Sequence, residues 1–333
     1  MPLVDMPLEK LREYKPALTR RSDFGAFWSS VLKAAIAQPL NATFEPQDHA
    51  ARGVRVCRVT YDGFEGGRIG GWYLEPEAGG PHPALLVFHG YSGRAPTAAA
   101  LLKWASQDLA VLAIDCRGQV GSSTDGAAYP GGHRPGFMTQ GILSRETYYY
   151  RYVYADCVRA VELAAAQPAV DPSRIGVAGV SQGGGLGLAT AALAADRVKF
   201  GAASVPYLCH FRRAADIAEM PYREIADYVR AWPDRCDQVF ETLSYFDNLN
   251  LADRTRARML VSVGLADLIC PPSTVFAVYN HMRCPKELVV YPFHGHEEGD
   301  HWEERAFAFL VRGLRGEARK RNRKRETGNR KNG

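Results

Sequence analysis

The sequence lacks the features that mark a membrane protein or a disulfide-stabilised secreted protein. It has no uninterrupted run of about 18 apolar residues, and its N-terminus has no basic segment followed by an apolar one. We therefore expect neither a membrane span nor a signal peptide. The seven cysteines are odd in number and include no C-x-x-C pair, which indicates reduced thiols in a cytoplasmic protein.

Most of the chain also carries little net charge. The whole sequence has a formal charge of +5, but residues 315–333 contain nine Lys and Arg and only two Glu. Residues 1–314 therefore carry a net charge of −2, which argues against a nucleic-acid-binding domain. The low hydrophobicity and high charge of residues 315–333 predict a disordered tail.

From residue 81 onward the chain contains apolar strands that alternate with helical segments. The continuous apolar runs 84–88 and 110–114 are typical of strands that are covered on both faces, and 259–263 is a further expected strand. This alternation predicts an α/β fold, with a doubly wound, mostly parallel sheet in a single domain over residues 1–314. Residues 206–250 have helical periodicity and many aromatic side chains, and we expect them to form a helical, cap-like insertion.

Three weaker patterns complete the expected fold. Asp23 is the expected N-cap of an amphipathic helix that ends near residue 37. The runs 54–61 and 68–74 are expected to be strands, and the first of them alternates apolar and polar residues like a half-buried antiparallel strand. A long helix is expected over 145–167.

One short motif carries a catalytic signature. Gly179-Val180-Ser181-Gln182-Gly183 reads G-x-S-x-G and lies between a β-branched run and a helix-compatible run of small residues. This pattern predicts a sharp strand-to-helix turn that exposes the hydroxyl group of Ser181. The N–H groups of the following helix would face the negative charge that develops in acyl transfer. Chance alone produces the motif in roughly one such chain in five, so its partners decide its meaning.

The acid and the histidine of a catalytic triad follow the serine in the chain order of α/β-hydrolases. Asp267 stands just after the strand 259–263, whereas Asp253 and Glu241 precede that strand and are less well placed. The loop after the next strand contains two histidines. We favour His296, because Gly295 lets the chain turn the ring inward, and His294 remains the alternative.

Backbone N–H groups are expected to form an oxyanion hole. One belongs to Gln182, the residue after the nucleophile, and the other is assigned to Tyr91 in the loop after the strand 84–88. His89 precedes the serine in the chain, so we expect it to shape this loop rather than act as a base. His294, His296 and His301 lack companion carboxylates with metal-ligand spacing, so we expect no metal.

These motifs together resemble carbohydrate esterase family seven, which comprises acetyl xylan esterases and cephalosporin C deacetylases. The matching segments are Arg117-Gly118-Gln119, Gly179 to Gly185 and His296-Glu297, and the similarity extends over about residues 7–314. The resemblance implies an α/β-hydrolase fold and a serine esterase that removes acetyl groups from small substrates without a metal or an organic cofactor. Acetylated xylo-oligosaccharides, other acetyl sugars and cephalosporin C-like esters are the implied substrates.

Site residues and assembly also follow from the resemblance. It implies a triad of Ser181, Asp267 and His296, oxyanion donors at Tyr91 and Gln182, and a hexameric assembly. It further implies that the Arg117-Gly118-Gln119 segment holds the loops near the site and performs no chemistry. A buried guanidinium there would require a carboxylate or carbonyl groups.

The chain departs from the family pattern at Val180, where many relatives have Gly, and in the basic tail. Two other functions are compatible with the residues. One is a broad-specificity carboxylesterase or a peptidase on the same fold. The other is a catalytically silent binding protein with a hydrolase fold.

Overall fold

The computed structural model describes residues 4–317, which contain nine β-strands and eleven α-helices. The strands are β1 (Thr43–Pro46), β2 (Val54–Asp62), β3 (Arg68–Pro76), β4 (His82–Phe88), β5 (Ala110–Ile114), β6 (Val170–Val180), β7 (Val198–Ser204), β8 (Arg258–Gly264) and β9 (Lys286–Tyr291). The helices are α1 (Leu8–Glu13), α2 (Phe24–Ala37), α3 (Ala98–Ala105), α4 (Tyr149–Ala165), α5 (Gln182–Leu193), α6 (Phe211–Ile217), α7 (Arg223–Ala231), α8 (Cys236–Ser244), α9 (Asn248–Leu251), α10 (Pro272–His281) and α11 (Asp300–Leu314). No helix among these residues is both long enough and apolar enough to cross a bilayer.

All nine strands form one sheet in the order β1-β2-β3-β5-β4-β6-β7-β8-β9. The pairs from β1 to β5 are antiparallel, and the pairs from β5 through β4 to β9 are parallel. The sheet is therefore mostly parallel, as the alternation of apolar runs and helices predicts. Because parallel strands share one direction, the loops that follow β4, β6, β8 and β9 all leave the sheet at the same edge.

Helices cover both faces of this sheet. Trp104 on α3 and Trp302 and Leu310 on α11 are buried in a core on one face, together with Leu85 and Val111. The other face packs against α4 and α5, in the larger core that also contains α2. This double burial explains why β5 has no exposed residue and why its sequence is continuously apolar.

Three local features of the structure differ from what the sequence predicts. The strand β1 was not expected, because it is only four residues long, lies at the edge of the sheet and ends in a proline. The expected helix over 145–167 begins later, at Tyr149. Asp23 does precede α2, but its side chain makes no capping bond and instead binds Arg145 and Tyr245.

The segment 206–250 contains α6, α7, α8 and most of α9. Its role as a cap stays a prediction, although α7 places one side chain against the loop that follows β4, as described below. The prediction of a disordered basic tail concerns residues that lie almost entirely outside the described part of the chain.

Candidate active site

Ser181 lies at a strained turn between the end of β6 and the start of α5. Its φ of 55° and ψ of −118° fall in a region that residues with a Cβ rarely adopt. The turn depends on close backbone approach. A Cβ on Gly179 would lie 2.3 Å from the carbonyl carbon of Gly183, and a Cβ on Gly183 would lie 2.0 Å from the carbonyl oxygen of Phe88. Both glycines of the G-x-S-x-G motif are therefore required by packing.

Two backbone hydrogen bonds fix the serine itself. The N–H of Ser181 donates to the carbonyl of Ser204 at the end of β7 (2.9 Å), and the carbonyl of Ser181 accepts from the N–H of Tyr207 (2.9 Å). The neighbouring strand and the segment that follows it therefore stabilise the strained conformation of the turn.

Asp267 and His296 are in direct contact. The Nδ1 atom of His296 lies 2.8 Å from Oδ2 of Asp267, and the carboxylate is buried. The other carboxylate oxygen, Oδ1, accepts hydrogen bonds from the N–H groups of Ile269 and Cys270, both at 2.8 Å. The carboxylate is thus oriented by the backbone, and it in turn favours the tautomer of His296 that carries a proton on Nδ1.

The alternative triad residues have other partners. The ring of His294 stacks on Tyr291 with 4.7 Å between centroids, and His301 contacts the hydroxyl group of Tyr291. Asp253 forms an ion pair with Arg20, and Glu241 forms one with Arg21. The structure therefore brings Asp267 together with His296 and with none of these alternatives.

Asp267, His296 and Cys270 also place their potential ligand atoms within 4.8 Å of one another. Burial raises the pKa of the Cys270 thiol well above its ordinary value. Both carboxylate oxygens of Asp267 already have hydrogen-bond partners, Oδ2 in His296 and Oδ1 in the N–H groups of Ile269 and Cys270. The contacts of the cluster are therefore those of a hydrogen-bonded acid and histidine.

The loop after β4 lies beside the start of α5. Phe88 pairs with Gly179 across β4 and β6, so the loops that contain Tyr91 and Ser181 start next to each other. In this loop, the buried His89 accepts a hydrogen bond from the N–H of Cys116 on Nε2 and donates from Nδ1 to the carbonyl of Gly90. Burial lowers the pKa of His89, so the neutral ring holds the loop together and is not free to act as a base.

Gln182 is fully buried and is the first residue of α5, so its backbone N–H lies at the N-terminus of that helix. Its amide exchanges hydrogen bonds with the amide of Gln119 at 3.0 and 3.2 Å, and it accepts one from the hydroxyl group of Tyr150. Gln119 also contacts the hydroxyl group of Tyr149. This network explains the glutamines of the R-G-Q and G-x-S-Q-G segments, because each satisfies the buried amide of the other.

Arg117 of the R-G-Q segment is fully buried and is neutralised by Asp156 on α4. Its Nε and Nη2 atoms donate to the two carboxylate oxygens at 2.7 and 2.9 Å, and Nη2 also donates to the carbonyl of Phe64. Burial by itself lowers the pKa of Arg117, but the charge and hydrogen bonds of Asp156, together with the charge of Asp125, outweigh burial and raise it. The sequence requires such a carboxylate, but no spacing signal identifies Asp156 as the partner.

Glu224 on α7 is the second residue that sequence reasoning missed. It is only 3% exposed, and its carboxylate contacts Tyr91 and the backbone of Met138. Burial raises the pKa of Glu224 to about 7, although both contacts act to lower it. A single Glu on an amphipathic helix gives no sequence signal of this kind, because the same pattern describes an ordinary solvent-facing carboxylate.

Comparison with known proteins gives a family match over nearly the whole chain. A family model described as acetyl xylan esterase (AXE1) matches residues 1–313. The structure is similar to that of an acetyl xylan esterase from Paenibacillus sp. R4, which is 45% identical, with a TM-score of 0.89 over 92% of this chain and 99% of that one. It is also similar to acetyl xylan esterase 1 from Thermoanaerobacterium sp. JW/SL YS485, which is 35% identical, with a TM-score of 0.88 over 92% of this chain and 98% of that one.

A curated relative adds a more distant match. The acetyl esterase Axe7A of Xylanibacter ruminicola is 27% identical over 295 residues, which are 85% of this chain. This chain spans 65% of the length of that relative.

Proposed function

Because the chain belongs to the acetyl xylan esterase family, as its motifs predict, we propose that it is a serine esterase that removes acetyl groups from small acetylated substrates. The observation that carries the proposal is the hydrogen bond between Asp267 and His296, at the same sheet edge as the strained turn of Ser181. The proposed substrates are acetylated xylo-oligosaccharides, other acetyl sugars and cephalosporin C-like esters. No cofactor is required for this chemistry.

In the proposed mechanism, Ser181 Oγ attacks the ester carbonyl while His296 takes the hydroxyl proton. Asp267 keeps the imidazole oriented and stabilises the imidazolium that forms. The N–H groups of Tyr91 and Gln182 bind the oxyanion, and the electron pair of the broken bond leaves with the alcohol oxygen, which receives the proton from His296. Water then attacks the acetyl-enzyme through the same groups, which releases acetate and regenerates the serine.

A short acyl group is proposed because aromatic side chains crowd the residue that we assign to the oxyanion hole. The ring of Tyr91 makes edge-on contacts with Phe137 and Tyr207, with centroids 5.6 and 5.9 Å apart. A closed acyl pocket discriminates by about 1–3 kcal/mol for each methylene that it cannot hold. We therefore expect p-nitrophenyl acetate to be hydrolysed well and the butyrate ester poorly.

The decisive variant is Ser181→Ala. We expect it to abolish hydrolysis of p-nitrophenyl acetate and labelling by a serine-directed phosphonate, with an unchanged circular dichroism spectrum. Ser29→Ala, an exposed serine on α2, is the matched control and should retain full activity. Activity that persists in Ser181→Ala would remove this residue from the mechanism, and an unlabelled wild type would indicate a catalytically silent binding protein.

Acyl-chain length and peptide turnover separate the remaining alternatives. Equal rates from acetate to octanoate esters would indicate a broad carboxylesterase. Turnover of aminoacyl p-nitroanilides would indicate a peptidase. A panel of acetylated xylo-oligosaccharides, acetylated monosaccharides and cephalosporin C would then identify the preferred ester.

We also propose a cytoplasmic homohexamer that has no nucleic-acid or membrane partner. All seven cysteines are unpaired, which supports a reducing compartment. The hexamer is inferred from the family resemblance alone. Light scattering coupled to gel filtration should give about six times the mass of one chain, and cell fractionation should recover the protein with cytosolic markers.

A further inference from the structure

Glu224 joins three segments that are far apart in the sequence. Its Oε1 atom accepts a hydrogen bond from the hydroxyl group of Tyr91 (2.8 Å), and its Oε2 atom accepts one from the N–H of Met138 (3.0 Å). The carboxylate therefore links α7 to the loop after β4 and to the loop between β5 and α4. Both hydrogen bonds go to residues outside α7, so neither of them stabilises the helix itself.

The hydroxyl group of Tyr91 is held from two sides. It donates to Glu224 and accepts from the N–H of Phe137. Its ring is packed edge-on between Phe137 and Tyr207. With both ends of the side chain fixed, the position of the Tyr91 backbone follows from the position of its hydroxyl group.

The backbone around the carboxylate is shaped to receive it. Gly136 has a φ of +114°, and a Cβ on this residue would lie 2.2 Å from the Oε1 atom of Glu224. A residue with a Cβ at position 136 would be strained at this φ and would also have to displace the carboxylate of Glu224. The glycine therefore leaves the carboxylate room to reach the hydroxyl group of Tyr91 and the N–H of Met138.

We propose that Glu224 is a positioning residue for the oxyanion hole, which acts by holding the hydroxyl group of Tyr91 and through it the backbone N–H of that residue. This inference rests on the proposed function, because it assumes that the Tyr91 N–H binds the oxyanion. Glu224 does not touch the reacting atoms in this proposal. Its effect is geometric, since an oxyanion hole acts only when its donors are already aimed at the developing charge.

The first test is Glu224→Gln, which keeps the shape of the side chain but cannot accept from both Tyr91 and Met138 through its two terminal atoms. Removal of an oxyanion donor costs about 10²–10³-fold in kcat, and a displaced donor costs less, so we expect kcat for p-nitrophenyl acetate to fall roughly tenfold. We expect KM to stay within about twofold, because ground-state binding does not use the oxyanion contact. Methylboronic acid forms a tetrahedral adduct on the serine, which resembles the intermediate that the oxyanion hole binds. Its affinity should therefore fall in parallel with kcat.

Glu241→Gln is the matched control, because Glu241 lies on the neighbouring helix α8 and its carboxylate is exposed. It should leave kcat, KM and boronic acid affinity unchanged. Tyr91→Phe removes the hydroxyl group and keeps the backbone N–H, so it tests the same link and remains informative if Glu224→Gln does not fold. The double variant should lose no more kcat than the more damaging single variant, because both substitutions break one link.

Two results would overturn the inference. The first is an unchanged kcat in Glu224→Gln. The second is a loss that adds in full to that of Tyr91→Phe while boronic acid affinity stays constant, because this result would indicate general destabilisation. Failure of the proposed function looks different, since the wild type itself would then show neither turnover nor phosphonate labelling of Ser181.

Discussion

Substitution of Arg117 tests whether the R-G-Q segment supports the site structurally or takes part in the chemistry. Arg117→Met removes the guanidinium and with it two charged hydrogen bonds to Asp156. The carboxylate of Asp156 stays buried and keeps only the hydrogen bond from the N–H of Phe64. Removal of one partner from a buried ion pair costs about 3–5 kcal/mol, because the remaining charge is not compensated. We expect the free energy of unfolding to fall by this amount.

The loss can be measured as a shift in the thermal midpoint. With an unfolding entropy of about 2.1 cal/mol/K per residue, the described part of the chain loses roughly 0.65 kcal/mol per degree, so the midpoint should fall by about 5–8 °C. Differential scanning calorimetry at matched scan rates measures this directly. Arg256→Met, which removes one side of an exposed ion pair with Asp196, is the control and should shift the midpoint by no more than about 1 °C.

A second variant separates the charge effect from simple loss of packing. Arg117→Met combined with Asp156→Leu removes both members of the buried pair and should recover much of the lost stability, because the carboxylate of Asp125, which also lies near Arg117, keeps its hydrogen bonds from Ala127 and Tyr129. Well below the midpoint, both variants should retain kcat within about tenfold of the wild type. An unchanged midpoint together with a more than hundredfold loss of kcat would refute this reasoning and would place Arg117 in the chemistry.

Two further predictions concern the acid of the triad and the buried carboxylate of α7. Asp267→Asn should lower kcat by about 10⁴ with little effect on KM, because the amide no longer favours the tautomer of His296 with a proton on Nδ1; a loss below tenfold in steady-state kinetics would contradict the assignment. Glu224 has its pKa raised by burial from 4.5 to about 7, so the folded protein keeps a proton that the unfolded chain releases between these pH values. The stability of the wild type should therefore fall as the pH rises through this window, by up to about 3 kcal/mol. Glu224→Gln lacks this titration, and its thermal midpoint relative to the wild type should rise between pH 5 and pH 8; a constant difference would show that Glu224 ionises normally.

The fold and the chain order of the candidate site could be predicted from the sequence, because both depend on local patterns. Continuous apolar runs indicate strands covered on two faces, and the C-terminal ends of parallel strands meet at one edge of the sheet. Ser181, Asp267 and His296 each follow such a strand, so their order along the chain already places them at that edge. The glycines around Ser181 belong to the same local information, since the close approach that they permit involves the turn itself.

Local pattern was misleading where a side chain had a distant partner. Asp23 has the position of an N-cap, but its carboxylate binds Arg145 and Tyr245 instead. The choice between His294 and His296 also required the structure, because both lie in one loop and only the fold shows which ring meets Asp267.

The sequence by itself therefore determined an α/β sheet, a nucleophile turn and the order of its partners. Only the tertiary structure decided how the buried charges are satisfied. Asp156 lies 39 residues from Arg117, and Glu224 lies 133 residues from Tyr91. A buried charge takes whichever partner the packing of helices against the sheet brings within hydrogen-bond distance, and that distance has no counterpart in the spacing of residues along the chain.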